Sequence, residues 1–144
     1  MVSQQWKDMW SVGSDLLDDD HSTILTLIRE IEGLAGDGGA SRQLGSIVAA
    51  VAAYTDVHFR REEAVMEAAG FPGLPSHKGL HERLKSRTNQ FLRVALETPD
   101  QVDVGVLHNF LKTWWESHIL KEDMAYKPYV ENNQDAKEAA HLDD

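Results

Sequence analysis

Three breaker segments cut the chain into four long stretches of helical period, and that division leaves little choice of fold. The breakers are Gly36-Asp37-Gly38-Gly39, Gly70-Phe71-Pro72-Gly73-Leu74-Pro75 and the weaker Thr98-Pro99-Asp100. The first stretch runs from about residue 19 to 35, with Asp18, Asp19 or Asp20 placed to serve as N-cap and as negative charge at the helix start. The second runs from about 41 to 69, the third begins near Ser76, and the fourth begins near Val102. Four helices of this length joined by short connections predict an all-α, antiparallel up-down-up-down four-helix bundle. The expected organisation is an N-terminal arm over 1–17, a bundle over 18–130 and a polar tail over 131–144, the tail frayed rather than folded.

The apolar stripes carry an unusual cargo. Ile24, Leu25, Ile28, Ile31, Leu34 and Ala35 share a face with His21. Leu44, Val48, Val51, Thr55, His58, Glu62, Val65 and Ala69 recur at three- and four-residue steps. His77, Leu80, His81, Leu84, Thr88, Phe91 and Ala95 do the same, as do Leu107, Leu111, Trp114 and His118. One histidine on an apolar face is ordinarily a core residue satisfied by a local partner. Here all four helices bring imidazole inward at one level, with Glu62 one turn after His58. Such a cluster is costly to desolvate unless something binds it, and a metal cluster is the economical answer.

Composition narrows the choices. The chain has 144 residues, a net charge of −10 and no basic tract, which disfavours nucleic acid as a partner. It has no cysteine, which excludes disulfides, iron–sulfur clusters, thiolate metal sites and cysteine nucleophiles. The longest apolar run, Ile47 to Tyr54, is too short to span a bilayer, and Met1 to Trp10 carries no signal pattern, so the expectation is a cytoplasmic protein without a membrane partner.

The spacing of the donors limits the metal chemistry without fixing the metal. His77 and His81 stand one turn apart and suit chelation of one ion, and His58 and Glu62 repeat that step. One tetrahedral zinc is filled by four ligands, whereas six or more donors converge here, and no His-Glu-x-x-His is present. Carboxylates can bridge two cations, while imidazole suits iron, copper, nickel and zinc alike. The common carboxylate-rich di-iron bundle uses paired Glu-x-x-His motifs. This chain has one, Glu138 to His141, in the tail.

Together these residues resemble a known family. His21 after Asp18, His58-Phe59-x-x-Glu62-Glu63 followed by Met66, His77-x-x-x-His81, and Trp114-x-x-x-His118-Ile119 followed by Asp123 and Tyr126 are similar to hemerythrin. Trp10-Ser11-Val12-Gly13 echoes the amino-terminal element of the bacterial single-domain hemerythrins, or bacteriohemerythrins. The resemblance covers roughly residues 10 to 130. It implies two iron ions joined by an oxo or hydroxo bridge. His77, His81 and His118 would ligate one iron and His21 and His58 the other, with Glu62 and Asp123 bridging. If each iron takes about six donors, that set leaves one open place on the two-histidine iron. There dioxygen would bind reversibly as a hydroperoxide, for carriage or storage, with no catalytic residue and no enzymatic turnover. An oxygen-consuming partner is a further expectation, and the oligomeric state is left open. The rival readings are an oxygen or redox sensor module, and a di-iron oxidase, peroxidase or nitric oxide scavenger.

Three positions depart from the pattern: Leu84 where the family often has Phe, Trp115 where it often has Leu, and Asp20 in place of a commoner Gln. One point conflicts with ideal geometry. Asp123 is five residues after His118, about 140° away around an α-helix, whereas Glu122 is nominally closer in direction. Asp123 as a ligand therefore requires a local distortion, such as a π-bulge or a helix end. Elsewhere, His108 is expected at the surface and His141 in a solvated tail. The four tryptophans read as packing anchors, Met66 as core, Asp18-Asp19-Asp20 as a cap and solvated face, with support of a metal ligand as the alternative, and Arg60, Arg61 and Glu63 as outer-face residues. Leu25, Thr55, Leu84 and Trp114, each a turn from a ligand, are candidate pocket walls.

Overall fold

The computed structural model describes residues 4–35 and 41–142; the breaker Gly36-Asp37-Gly38-Gly39 lies outside them. A short arm helix α1 (Gln4–Trp10) precedes the four bundle helices α2 (Asp15–Ala35), α3 (Ser41–Ala69), α4 (Leu74–Glu97) and α5 (Val104–Ser117). Two short helices follow, α6 (Lys127–Val130) and α7 (Gln134–Glu138). The expected all-α bundle is what forms: α3 packs on α2 and α4, and α2 packs on α5. No described helix is long and apolar enough to cross a membrane.

The helix starts follow local chemistry. Helix α5 begins where the Asp103 carboxylate accepts from the Val106 amide at 3.0 Å. Helix α4 begins two residues before the expected start, with Pro75 in its first turn, where a missing N–H costs nothing. Helix α2 corrects the sequence reading. It starts one turn early, at Asp15, and the Ser14 hydroxyl accepts from the Leu17 amide at 3.4 Å. Asp18 and Asp20 are therefore not caps but buried side chains inside the helix.

Because consecutive helices run in opposite directions, the starts of α2 and α4 meet the ends of α3 and α5. His21, His77 and His81 sit near helix starts, whereas His58, Glu62 and His118 sit toward helix ends, so all six reach one level. Beyond that level the core is aliphatic: Ile24, Ile28, Ile31, Leu44, Val48, Val51, Leu107 and Leu111 are fully buried. The near end is closed by Val12, Leu17, Tyr126 and Val130.

The C-terminal segment is another correction. Rather than fraying, it turns back as α7, capped by the Asn133 side chain accepting from Ala136 N at 3.0 Å, and packs on α3. Ala136 and Ala140 are completely buried. Two alanines present no apolar run to a reader of the sequence, yet their small size allows close approach.

The arm is tied down by Asp18, which accepts from Ser11 Oγ at 2.6 Å and from the Val12 amide at 2.9 Å. Between arm and bundle, Gly13 adopts φ +94°, and a Cβ there would stand 2.9 Å from Cβ of Glu131. Conformation and space both demand glycine. Gly13→Ala is therefore expected to lower stability by more than about 1 kcal/mol in urea unfolding.

Candidate metal centre

All seven residues singled out from the sequence meet in one buried cluster: His21, His58, Glu62, His77, His81, His118 and Asp123. Asp123 arrives by the distortion its spacing required. Residues His118–Glu122 form a π-helical turn closed by the Asp123 amide bonding back to the His118 carbonyl, and a 3-10 turn follows at Asp123–Ala125. The wider turn swings the Asp123 carboxylate over the His118 ring, 3.0 Å from Nε2. Glu122 instead approaches the outer nitrogen, Nδ1, of His118 at 3.5 Å and stands outside the donor ring.

The two carboxylates divide the histidines into two sets. Oε1 of Glu62 lies 3.0 Å from His77 Nε2 and 2.9 Å from His81 Nε2. Oδ1 of Asp123 lies 3.0 Å from both His77 Nε2 and His118 Nε2. The opposite oxygens face the other way. Oε2 of Glu62 is 3.0 Å from His58 Nε2 and 3.3 Å from His21 Nε2, and Oδ2 of Asp123 is 3.2 Å from His21 Nε2. Each carboxylate thus offers one oxygen to a three-histidine set and one to a two-histidine set.

Only part of this set is hydrogen-bonded: Nε2 of His21, His58 and His77 pairs with Glu62. His81 Nε2, His118 Nε2 and both Asp123 oxygens are buried without a hydrogen-bond partner, although donor atoms stand about 3 Å away. Their lone pairs converge on shared points rather than on one another. A separation of about 3 Å is that of donors at right angles around an ion bound at about 2.1 Å. The donor set fits a pair of cations. The same residues fall into two groups able to hold an ion, Glu62, His77, His81, His118 and Asp123 in one, His21, His58 and Glu62 in the other.

Comparison with known proteins agrees. The family described as Hemerythrin HHE cation binding domain matches residues 12–130. The chain belongs to the hemerythrin family. It is 30% identical to the bacteriohemerythrin of Stenotrophomonas maltophilia, over 92% of this chain and 86% of that one. It is 29% identical to myohemerythrin-1 of Phascolopsis gouldii, over 85% of this chain and 90% of that protein. A crystal structure of wild-type hemerythrin superposes with a TM-score of 0.79 at 23% identity, covering 91% of this chain and 98% of that one, which supports the fold. Hemerythrins are di-iron, oxygen-binding proteins, and the buried histidine–carboxylate cluster supplies the donors such a centre needs.

A second layer of residues holds the clustered histidines in place, and the sequence reading misplaced it. Asp20, only 1% exposed, takes the Nδ1 proton of His58 at 2.9 Å while Arg61 donates to its other oxygen at 2.7 Å. Tyr54 also donates to that oxygen at 3.3 Å. Glu63 lies 2.7 Å from His81 Nδ1. Asp18-Asp19-Asp20 is thus no solvated face, and Arg61 and Glu63 turn partly inward; Arg60 alone of that group is exposed. Arg61, three residues after His58, shares its side of the helix, and that spacing was the available signal.

Tyr126 donates to Glu62 Oε2 at 3.1 Å. Burial, together with the charges of Glu62 and Asp123, pushes its phenol well above the usual range, so it stays a fixed donor. Ring stacking holds the histidines in plane, Phe59 on His81 at 3.6 Å and Trp114 on His118 at 4.4 Å. Of the expected walls, Thr55 and Leu84 are buried, but Leu25 is half-exposed and lines a surface cavity with Trp6 and Trp10. Fully buried Trp115 packs instead beside His58 and His21, with ring centroids 5.9 and 6.3 Å away. His108, expected at the surface, is mostly buried at 16% exposure beside Glu32, and His141 is exposed.

Without ions the cluster is held by protons. Burial works against charged imidazole, but Asp123 and Glu62 outweigh it, raising His21 and His77 to about 9 and His118 to about 10. Burial likewise opposes the two carboxylates' ionisation, yet the surrounding histidines hold both far below the usual range. Raised histidine values stabilise the fold fully below pH 6.5, and that contribution disappears as pH rises through about 9 to 10. Calorimetry of metal-free protein should therefore show the melting temperature falling from neutral pH to pH 10. In the metal-loaded protein, ions replace those protons and the fall should be largely absent.

Proposed function

We propose that this chain binds dioxygen reversibly, for carriage or storage, at two irons. His77, His81 and His118 would hold one iron, His21 and His58 the other, and Glu62 and Asp123 would bridge them. The observation that carries this reading is the division of carboxylate oxygens between a three-histidine and a two-histidine set. When bound, the iron pair supplies one electron from each ion and an open coordination place for the gas. The unequal histidine count favours placing that opening on the side of His21 and His58.

The protein's own contribution is to hold donors still and exclude stray acid. The bridging carboxylates are completely buried, and Phe59, Trp114 and Trp115 pack the histidine rings on several sides. Tyr126 keeps its proton on Glu62 and is a poor acid at neutral pH. The part-exposed carboxylates Glu63 and Glu122 face the outer nitrogens of His81 and His118. A pocket with no convergent acid or base suits binding better than turnover, so we read the chain as a binding protein rather than an enzyme.

Iron content and the visible spectrum, followed through anaerobic reduction, oxygenation and deoxygenation, test the reading. Two irons per chain and a charge-transfer colour that comes and goes with oxygen are expected. Irreversible oxidation, or sustained oxygen consumption with a reductant, would remove reversible carriage. Glu62→Ala and His118→Ala are each expected to lose iron and the oxygen adduct; retention of both by either variant would disprove the ligand assignment.

A further inference from the structure

The two histidines facing the proposed open place are supported unequally. His21 Nδ1 is buried with no hydrogen-bond partner, whereas His58 Nδ1 is bound to the buried carboxylate of Asp20. That carboxylate is itself shared. Its Oδ2 takes the imidazole N–H, and its Oδ1 takes Arg61 at 2.7 Å and the Tyr54 hydroxyl at 3.3 Å. Arg61 reaches it from a side chain still 26% exposed.

We propose that Asp20 is a positioning residue that sets the electron-donating strength of His58, and that Arg61 restrains it, so that the pair tunes the reduction potential of the two-histidine iron. The inference rests on the di-iron reading above.

A carboxylate on one imidazole nitrogen fixes the tautomer, leaves the other nitrogen free to bind metal, and makes the ring more basic. A more basic ring favours the higher-charged, ferric ion and lowers the potential. The effect depends on how much of the carboxylate's charge is available to the ring. Arg61 and Tyr54 draw on that charge from the opposite oxygen, and Arg61 brings a full positive charge. The pair therefore pulls in opposite directions. Asp20 makes His58 a stronger donor, and Arg61 weakens that help.

Opposite signs make the test sharp. Asp20→Asn keeps an acceptor for the His58 N–H but removes the charge, so the midpoint potential of the iron-loaded protein should rise. Autoxidation should slow by about tenfold, and iron should dissociate about tenfold faster. Arg61→Gln keeps a donor to Asp20 but removes the opposing charge, so the potential should fall and autoxidation quicken. In the double variant the Arg61 change should have little further effect, because the carboxylate through which it acts is gone.

A merely structural role would move both single variants the same way, or neither, and that result overturns the proposal. If Asp20→Asn does not load iron, Arg61→Gln decides alone, and an unchanged or raised potential refutes the inference. A metal-free readout separates the two claims. The His58 Nδ1 proton in the ion-free protein should resonate well downfield, move upfield in Asp20→Asn and move further downfield in Arg61→Gln. Loss of iron binding by the unaltered chain would sink the di-iron reading, whereas an unmoved proton signal sinks only this inference.

Discussion

The sharing of Glu62 and Asp123 between two sets of histidines is the constraint around which the rest is arranged. Five imidazoles and two carboxylates lie almost completely buried in a small bundle. Isolated, such groups would be expelled to water or neutralised, because desolvation of each charge costs several kcal/mol. They remain because each offers a lone pair to a common centre, where a cation or a proton can satisfy several at once. The aliphatic layer from Ile24 to Leu111 makes the fold, and the polar layer above it makes the protein dependent on what it binds.

Much of this could be read from the sequence, and the limit of legibility has a physical basis. Helical period placed His21, His58, Glu62, His77, His81 and His118 inward, because a stripe of three- and four-residue steps leaves no freedom of facing. Asp123 was reached through family pattern and a required distortion, since an ideal helix turns it away; the π-helical turn after His118 supplies that distortion. The arrangement became hidden where contact depends on the rotation of one helix against another. Asp20 and His58 are separated by 38 positions and lie on different helices. No period within α2 distinguishes an aspartate that caps from one that reaches across to α3. Asp18 misled for the same reason: three consecutive carboxylates look solvated until the helix is seen to begin at Asp15.

The C-terminal segment illustrates a different loss of signal. Burial of Ala136 and Ala140 owes nothing to hydrophobic bulk, so no apolar stripe announces it. Its position is set by the Asn133 cap and by contact with α3, while Gly13 supplies the close approach between arm and Glu131. The arm and the C-terminal segment thus both close the end of the bundle that holds the histidine–carboxylate cluster. Tyr126, buried below that closure and bonded to Glu62, transmits the packing directly to a carboxylate shared by both histidine sets.

Carboxylates shared so evenly between two sets of histidines cannot themselves distinguish one side from the other. The distinction has to come from what surrounds them. Histidine number gives the first asymmetry, three against two, and under the proposed function it leaves the open place on the two-histidine side. The outer carboxylates give the second. Glu63 supports His81 in the three-histidine set, and Asp20 supports His58 in the other. Of these two, Asp20 is nearly inaccessible and is coupled to a cation, whereas Glu63 is a quarter exposed and shares its field with water. A charge in low dielectric acts more strongly on its neighbour than one screened by solvent. Control over the side proposed to bind oxygen is therefore concentrated in a pair of residues that touch neither the gas nor the metal.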